Sequence, residues 1–224
     1  MTDGTFVCDL HTHSRFFHRP PESIGSYDYA GVRLSCQVAR LRGLSGIAVT
    51  NHDFYRPETF TAFDRCLPGI EISTTMGHVL VIGPDPPART TAGELTPEEA
   101  VELAHDRGCA AIIAHPFRGS RVRESDADFD AVEINGKRPE NRERVERLAR
   151  ERDLPIVGGS DAHFPFEVGR AVTRIDVDEP TPEAVVRAIR AGDVEPAVRH
   201  APLDEGMRRF YRRVHARKHG ESEE

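Results

Sequence analysis

Seven of the eleven histidines of this chain lie in or beside short polar strings that accompany apolar runs. The strings are DLHTHS at 9–14 with His18 shortly after it, TNHD at 50–53, MGHV at 76–79, AHP at 114–116 and SDAH at 160–163. Neutral imidazole is the commonest metal ligand among side chains, and Glu71 and Asp161 add carboxylate oxygens to the same set. The residue types therefore predict a site that binds several divalent ions.

Covalent catalysis, in contrast, has no motif in the sequence. No G-x-S-x-G string is present, and the four cysteines are spread through the chain without C-x-x-C spacing. They are Cys8, Cys36, Cys66 and Cys109, and we expect them to be reduced and mainly structural. The pattern favours hydrolysis by a metal-activated water over attack by a protein nucleophile.

The elements that must position these residues are short apolar runs alternating with helical segments, a pattern typical of βα units. The predicted strands are 6–10, 45–50, 69–73, 78–83, 110–114, 131–135 and 155–159, with a weaker one at 171–177. The predicted helices are 30–43, 57–66, 97–108, 139–153 and 181–191, and linkers are predicted at 84–88 and 196–205. At 224 residues the chain is predicted to form one α/β domain.

The candidate ligands follow the ends of different predicted strands. In a barrel of parallel strands, reacting groups come from the carboxyl ends of the strands and share one rim. Five strand ends therefore direct ligands to one rim, and they carry His11 and His13, His52, Glu71, His115, and Asp161 and His163. His78 begins a strand instead, but the connection 73–77 is too short for a parallel crossover and predicts a hairpin that returns His78 to Glu71.

Several of these residues also have ordinary structural interpretations. Taken alone, His18 is typical of a surface loop, the string at 51–53 of a polar turn, and Asp161 of a helix N-cap. Glu71 differs, because it lies between two isoleucines of an apolar strand, where an ionised carboxylate is costly unless it is paired or bound to metal. The remaining histidines, interpreted as having no part in the site, are His105, His200, His215 and His219.

The strings in this order, together with GIEIS around Glu71, resemble the motifs of the polymerase and histidinol phosphatase (PHP) superfamily of metal-dependent phosphoesterases. The resemblance covers residues 8–164. It implies a distorted seven-stranded (β/α)7 TIM-like barrel with two to three divalent ions, of zinc, manganese or iron, at one rim. Residues 1–224 are then a single PHP domain, in which 165–224 completes the barrel and adds a basic tail.

The resemblance also implies which residues bind each ion. It assigns His11, His13, Glu71 and Asp161 to the first ion, Glu71, His78 and His115 to the second with Glu71 bridging, and His18, His52 and His163 to the third. Two positions differ from the usual pattern of the family. His18 stands where many members have Asp, and Asn51 stands where Asp is usual, which we expect to weaken any carboxylate support for the neighbouring ligands.

Such a centre also predicts residues that contact substrate. Metal ions that share a bridging carboxylate lower the pKa of a bound water and clamp phosphate oxygens, so the predicted nucleophile is a metal-bound water and no side chain is predicted to be catalytic by itself. The charge of the phosphate calls for cations at the same rim. Arg118, Lys137 and Arg138 are the predicted phosphate contacts, and Asn135 is predicted to orient substrate or water. For Lys137 and Arg138 a solvent-exposed turn is the alternative.

The leading functional prediction is a phosphoesterase acting on a small phosphomonoester or on the 5′ end of a short oligonucleotide. The second is an amidohydrolase-type hydrolase of carbon–nitrogen bonds. Such enzymes often carry a modified bridging lysine at the end of an early strand, but the two lysines of this chain, Lys137 and Lys218, do not end one. The third is a non-catalytic metal-binding module. The net charge of −7 argues against a stable nucleic-acid partner. No apolar run reaches membrane-spanning length, so we expect a cytoplasmic protein without a membrane partner.

Overall fold

The computed structural model describes residues 5–14, 29–56 and 66–199. Its strands are β1 (Thr5–Thr12), β2 (Gly46–Val49), β3 (Cys66–Thr74), β4 (Gly77–Ile82), β5 (Ala110–Ile113), β6 (Ala131–Asn135), β7 (Ile156–Gly159), β8 (Ala171–Asp176) and β9 (Val194–Val198). Its α-helices are α1 (Tyr29–Leu41), α2 (Pro97–Asp106), α3 (Arg142–Arg152) and α4 (Pro182–Ala191). The predicted helix 57–66 lies outside the described residues except for Cys66, and the predicted basic tail lies outside them entirely.

The strands of these ranges form one nine-stranded sheet in the order β7-β6-β5-β4-β3-β2-β1-β8-β9. β1, β2 and β3 are parallel, as are β5, β6 and β7, whereas β4 is antiparallel to both of its neighbours. β8 is antiparallel to β1, and β9 is antiparallel to β8. The prediction of a seven-stranded (β/α)7 barrel is therefore wrong in strand number and in strand direction, although an α/β sheet with barrel-like curvature is correct.

The curvature brings the β7 end of the sheet back to β1. Ala162, just after β7, accepts a hydrogen bond from His13 N–H at 2.8 Å and donates one to His11 O at 3.2 Å. Lower in the sheet, Thr173 of β8 exchanges hydrogen bonds with the main chain of Gly158 in β7. The sheet is therefore a mixed near-barrel, and β1 and β7 meet at a junction beside His11 and His13.

The strand that the sequence did not predict is β9, which overlaps the predicted linker 196–205. Pro196 lies in the middle of this strand, and proline inside a strand pattern argues against a strand with two neighbours because it lacks an N–H donor. Among the described strands, β9 ends the hydrogen-bonded order and pairs with β8 alone. An edge position tolerates proline, so the sheet gains a strand where the sequence indicated a connection.

β3 and β4 form the hairpin that the short connection predicted. Ser73 pairs with His78 across the two strands, and Gly77 begins β4 with a φ of 133°, which L side chains rarely adopt. Residues that pair across a hairpin point to the same face, as do residues two apart in one strand. His78 and Glu71 therefore share a face of the sheet, although β4 runs opposite to β3.

The opposite face of this hairpin fixes its register. Ile70 and Ile72 of β3 pack with Val79 and Val81 of β4 in a buried cluster that also contains residues of α2 and α3. A shift of one residue would exchange these isoleucines with their polar neighbours, so burial of the apolar side holds Glu71 on the other face. Replacing one buried isoleucine by alanine typically costs about 2–5 kcal/mol, which shows how strongly the core sets this orientation.

Threonine side chains cap two of the described helices. Thr96 accepts a hydrogen bond from Glu99 N–H, and Glu99 Oε2 in turn accepts one from Thr96 N–H, so a capping box opens α2. Thr181 caps α4 through its side-chain oxygen. α3 begins later than the predicted 139–153 because Pro139–Asn141 forms a 3-10 turn. No described helix is long and apolar enough to cross a membrane.

Candidate metal centre

Glu71 is fully buried, yet both oxygens of its carboxylate face imidazole rings. Five rings each place a nitrogen within 3.2 Å of one of these oxygens. They belong to His11, His13 and His52, which face Oε2, and to His78 and His115, which face Oε1. A single carboxylate therefore lies between two groups of imidazoles, the arrangement expected of a ligand that bridges two metal ions.

These rings come from four different strands or their ends. His11 lies in β1 and His13 directly after it, and their spacing of two places both on one face. His52 follows β2, and a main-chain bridge to Glu71 holds it beside β3. His115 follows β5, whereas His78 lies in the antiparallel strand β4.

Asp161 extends the cluster on the β7 side. Its Oδ1 lies 3.3 Å from His13 Nε2, 3.2 Å from His163 Nδ1 and 3.2 Å from Lys137 Nζ. Its Oδ2 accepts a hydrogen bond from the guanidinium of Arg118. The side chain of Asp161 is buried, so one carboxylate connects the histidines to two cationic side chains.

The buried carboxyl groups of Glu71 and Asp161 are held in their ionised form. Burial by itself would raise the pKa of Glu71, but the rings of His52 and His11 outweigh it and hold that pKa well below its usual value. Burial opposes ionisation of Asp161 in the same way, and Lys137 and neighbouring imidazoles hold its pKa well below the usual value. Ionised carboxylates are the form that binds metal.

Two of the rings are held neutral. Burial lowers the pKa of His52 to about 3, with adjacent rings adding to the effect of burial. Burial and the ring of His13 lower the pKa of His163 to about 4. At neutral pH both rings therefore keep a free lone pair, which coordination of a metal requires.

The donor set fits divalent ions. His11 Nε2 and His13 Nε2 are 3.2 Å apart, and His78 Nδ1 and His115 Nε2 are 3.3 Å apart. Ligand atoms on a tetrahedral zinc ion with bonds of about 2.0–2.1 Å lie about 3.3 Å apart, so these separations match those of donors sharing one ion. Three groups of potential ligands converge in this way: His11, His13 and Glu71; His52, Glu71 and His78; and His13, His52 and His163.

Two residues of the cluster have unusual backbone conformations. The φ angles of His115 and Asp161 are 28° and 53°, a range that non-glycine residues seldom adopt. Such conformations cost about 1–3 kcal/mol each and persist where the surrounding structure holds them, most often at functional sites. The backbone is therefore strained at both residues, in conformations that direct their side chains toward the cluster.

Sequence reasoning gave no role to Asp9, which supports the cluster. Asp9 is buried, and its carboxylate accepts hydrogen bonds from the N–H groups of His11, Ser160 and Gly169. Burial raises the pKa of Asp9 to about 6. Its position two residues before His11, on the same face of β1, was the available signal. Asp9 ties β1 to the chain that follows β7.

Sequence reasoning also gave no role to Glu133, which lies two residues before Asn135 in β6. It is fully buried, with Oε1 2.8 Å from His11 Nδ1 and Oε2 2.7 Å from His115 N. Asn135 Nδ2 donates to the same Oε2 at 3.2 Å. Glu133 therefore contacts the cluster from the side opposite to Glu71.

Asn51 has a local role. Its Oδ1 accepts a hydrogen bond from Ser14 N–H at 3.0 Å, and its Nδ2 donates to Ser14 Oγ at 2.9 Å. Both bonds hold the chain that immediately follows His13. The amide at this position therefore anchors a backbone segment next to the cluster.

The predicted substrate contacts divide into two pairs. Arg118 and Lys137 both lie against Asp161 at the edge of the cluster. Asn135 Nδ2 instead donates to Glu133, its Oδ1 accepts from Lys137 N–H, and the exposed Arg138 lies 3.4 Å from Glu140. The ninth predicted metal ligand, His18, lies outside the described residues.

A cleft adjoins the cluster on the side of β5 and β6. It is lined by residues that include His115, Phe117, Arg118, Asn135 and Arg138. Its floor therefore includes one candidate metal ligand, and its walls carry two arginines. The two arginines favour an anionic group at this cleft.

Comparison with known proteins identifies related sequences over parts of the chain. Residues 139–194 match the family model PHP_C, described as PHP-associated. A 5′-3′ exoribonuclease of Haemophilus influenzae is 37% identical over 91 residues, which cover 34% of this chain and 33% of that protein. The match therefore spans about a third of the curated relative.

Solved structures share the fold over most of the chain. PsfC from Pseudomonas syringae matches with a TM-score of 0.74 and 20% identity, over 94% of this chain and 99% of its own. A two-domain Bacteroides vulgatus protein containing a predicted PHP-like metal-dependent phosphoesterase matches with a TM-score of 0.60 and 20% identity, over 87% of this chain and 65% of its own. Endonuclease Q, in complex with a 27-mer duplex bearing an abasic lesion, matches with a TM-score of 0.60 and 18% identity, over 84% of this chain and 57% of its own.

Proposed function

We propose that this chain, which belongs to the PHP superfamily, is a hydrolase that cleaves a phosphate ester with two to three bound divalent ions. Ions held at this site supply Lewis acidity toward phosphate oxygens and a water of lowered pKa. Zinc, manganese and iron all suit the mixed nitrogen and oxygen donors. The proposed ligands are His11, His13, His18, His52, Glu71, His78, His115, Asp161 and His163.

One observation carries this proposal: the fully buried carboxylate of Glu71 has five imidazole nitrogens within 3.2 Å. A structural ion pair needs one cation. Five rings around one carboxylate, of which that of His52 is held neutral by burial, exceed what neutralising its charge requires. A shared set of metal ligands explains their number and their separations.

Two cations give the site its preference for an anionic substrate. Arg118 and Lys137 lie at the edge of the cluster, where both contact Asp161. The side chain of Arg118 is 43% exposed and adjoins the cleft, and a guanidinium can bind two oxygens of a phosphate. The side chain of Lys137 is less exposed than that of Arg118, and it adds a second positive charge at the edge of the cluster.

The proposed substrates are small phosphomonoesters and the 5′ ends of short oligonucleotides. The similarity to a 5′-3′ exoribonuclease supports the second class over the matched segment, and the shared fold with Endonuclease Q is compatible with it. The net charge of −7 favours a transient substrate over a stable nucleic-acid partner.

The first experiment measures metal content by elemental analysis on protein purified without chelator. Parallel samples with added Mn²⁺ or Zn²⁺ are screened for phosphate release from sugar phosphates, histidinol phosphate, nucleotides and 5′-phosphorylated short oligonucleotides. We expect two to three ions per chain and phosphate release from at least one class. His13→Ala is expected to remove both.

The other outcomes select the alternatives. Bound metal without phosphate release, combined with cleavage of an amide or ring C–N bond, would favour an amidohydrolase-type reaction. Bound metal without either activity would favour a non-catalytic metal-binding module. Absence of bound metal under every loading condition would contradict all three.

Arg118→Ala is expected to reduce kcat/KM for phosphate release by about 10–100-fold, because a hydrogen bond to a charged group contributes about 1.5–3 kcal/mol. Metal content should stay unchanged, since Arg118 is not a proposed ligand. The matched control is Arg121→Ala, three residues on, whose guanidinium pairs with Glu124 on the surface. An equal loss in both variants would contradict a specific contact between Arg118 and substrate.

A further inference from the structure

We propose that Glu133 is a positioning residue that holds ligands of both proposed metal positions at once. This inference rests on the proposed metal-dependent function. Glu133 lies in the centre of β6, and its side chain is fully buried. One carboxylate oxygen faces the ring of His11, and the other accepts a hydrogen bond from the backbone of His115.

The contact with His11 selects which ring nitrogen is free. His11 Nδ1 lies 2.8 Å from Glu133 Oε1, whereas Nε2 faces Glu71 and the Nε2 atom of His13. A carboxylate only accepts hydrogen bonds, so the proton of a neutral His11 ring is held on Nδ1. The lone pair on Nε2 is then directed into the cluster. A carboxylate that orients a metal-binding histidine in this way typically contributes 10–100-fold to metal affinity.

The contact with His115 acts on the main chain. His115 N–H donates to Glu133 Oε2 at 2.7 Å, at a residue whose φ is 28°. This sparsely populated conformation requires support from its surroundings. It places His115 Nε2 3.0 Å from Glu71 Oε1. Glu133 therefore supports the two groups of rings that face opposite oxygens of Glu71.

The surroundings leave Glu133 little freedom. A Cβ atom on Gly159 of β7 would lie 2.4 Å from Glu133 Oε1 and 2.5 Å from His11 Cβ, so the pair needs glycine at this position. Asn135 Nδ2 donates to Oε2 from the other side. These contacts fix the side chain of Glu133 beneath the cluster, where it acts through His11 and His115.

The test compares Glu133→Gln with Asp130→Asn. The glutamine side chain has one acceptor oxygen, so it can satisfy His11 or His115 but not both. Asp130, which precedes β6, is the matched control because its carboxylate also contacts a histidine ring, that of His105 at 2.9 Å, and accepts Ala111 N–H at 2.7 Å, away from the cluster. Zinc affinity is measured by competition with a chromophoric chelator.

We expect Glu133→Gln to weaken zinc binding by about 10–100-fold and Asp130→Asn to leave it unchanged. In the zinc-loaded wild type, nitrogen-15 NMR should show His11 protonated on Nδ1 and slow exchange of that proton. In Glu133→Gln the resonance should shift or broaden. A purely structural role for Glu133 would not change the tautomer signal of a folded protein.

Equal zinc affinity and an unchanged His11 resonance in Glu133→Gln would overturn the inference. A wild type that binds no zinc would instead contradict the proposed function. If Glu133→Gln fails to fold, Glu133→Asp is measured in its place. Aspartate keeps the charge but is one methylene too short to reach both partners, so the same loss of affinity is expected.

A second inference concerns the thiols of Cys36 and Cys66, and we infer that they form a site of reversible oxidation. The two Sγ atoms are 3.4 Å apart, one in α1 and the other at the start of β3. Both residues are partly exposed free thiols, whereas Cys8 and Cys109 are buried. A bond between them would tie α1 to the strand that carries Glu71.

Hydrogen peroxide is a sufficient oxidant. The thiolate of Cys36 attacks one peroxide oxygen and breaks the O–O bond, which leaves a sulfenic acid on Cys36 and, after protonation, one water. The Cys66 sulfur then attacks Cys36 Sγ, and the sulfenic oxygen leaves with the released proton as a second water. Two thiols thereby lose two hydrogens. The hydrogen bond with Cys66 lowers the pKa of Cys36, which favours Cys36 as the first nucleophile.

The test is peptide mapping after treatment with one equivalent of peroxide. We expect a Cys36–Cys66 cross-linked peptide that dithiothreitol removes, with the other two thiols still available for labelling after denaturation. Cys36→Ser should abolish the cross-link, and Cys109→Ser should preserve it. Four labelled thiols after treatment, or a cross-link between other residues, would overturn this inference.

Discussion

Replacement of Glu71 by glutamine is expected to reduce phosphate release at least about a thousandfold, because the ions supply several kcal/mol of transition-state stabilisation and each 1.4 kcal/mol is a factor of ten. Metal content should fall by at least one ion per chain. The reason is geometric: both oxygens of Glu71 face imidazoles, and an amide offers one oxygen and one NH2 group in their place. Elemental analysis and a phosphate-release assay measure the two effects.

Asp130→Asn, at a partly buried carboxylate away from the cluster, serves again as the control, and it should retain both metal and activity. Circular dichroism on each variant separates loss of the site from loss of the fold. A Glu71→Gln protein that keeps its full complement of ions and its activity would contradict the bridging role of Glu71. A variant that keeps its ions but loses activity would place Glu71 in the chemistry without a role in metal retention.

Removal of the ions is expected to lower the melting temperature of the wild type by about 10 °C. Ligand at about a thousand times its Kd stabilises a folded protein by about 4 kcal/mol, and each kcal/mol corresponds to about 2–4 °C in a domain of this size. Without ions, the carboxylates of Glu71 and Asp161 remain buried against imidazole rings and cationic side chains. Calorimetry before and after dialysis against EDTA, followed by readdition of Zn²⁺ or Mn²⁺, measures the change.

The chelator should have little effect on Glu71→Gln, since that variant has already lost most of the bound metal. This comparison separates a specific metal effect from an effect of EDTA on the rest of the protein. An unchanged melting temperature of a wild type that is shown to lose its ions would contradict coupling between metal binding and stability.

The sequence was most informative where local patterns decide the structure. The apolar runs before His11, His52 and His115 predict strands. The positions of these histidines at the strand ends then predict that their side chains meet at one rim. The short connection at 73–77 predicts the hairpin that brings His78 beside Glu71, and the strand pairing confirms it. The structure accordingly brings together eight of the predicted metal ligands, while His18 lies outside the described residues.

The sequence was less informative where distant parts of the chain decide the structure. Glu133 and His11 are 122 residues apart, and their contact depends on β6 and β1 curving toward each other. A single sequence shows that Glu133 alternates with Asn135, but it does not show what either residue meets. The role of Asn135 illustrates this, because its side chain bonds to Glu133 and to the backbone of Lys137.

Strand number also depended on context. Pro196 argues against a strand in isolation, and only the edge position of β9 makes a strand compatible with it. The start of α3 was misplaced for a related reason, since the 3-10 turn at Pro139–Asn141 continues the helical direction with different hydrogen bonds. Side-chain periodicity does not distinguish these cases.

The junction between β1 and β7 has a consequence for how the molecule holds its shape. Asp9 and Ser160 are 151 residues apart, and the Asp9 carboxylate accepts a hydrogen bond from Ser160 N–H there. His13 and Asp161, which face each other at 3.3 Å, belong to the two sides of this junction. An ion bound by His13 and Asp161 would link the chain after β1 to the chain after β7. The proposed catalytic metals would then also keep the curved sheet from opening, so availability of metal in the cell would set both the activity and the lifetime of the folded chain.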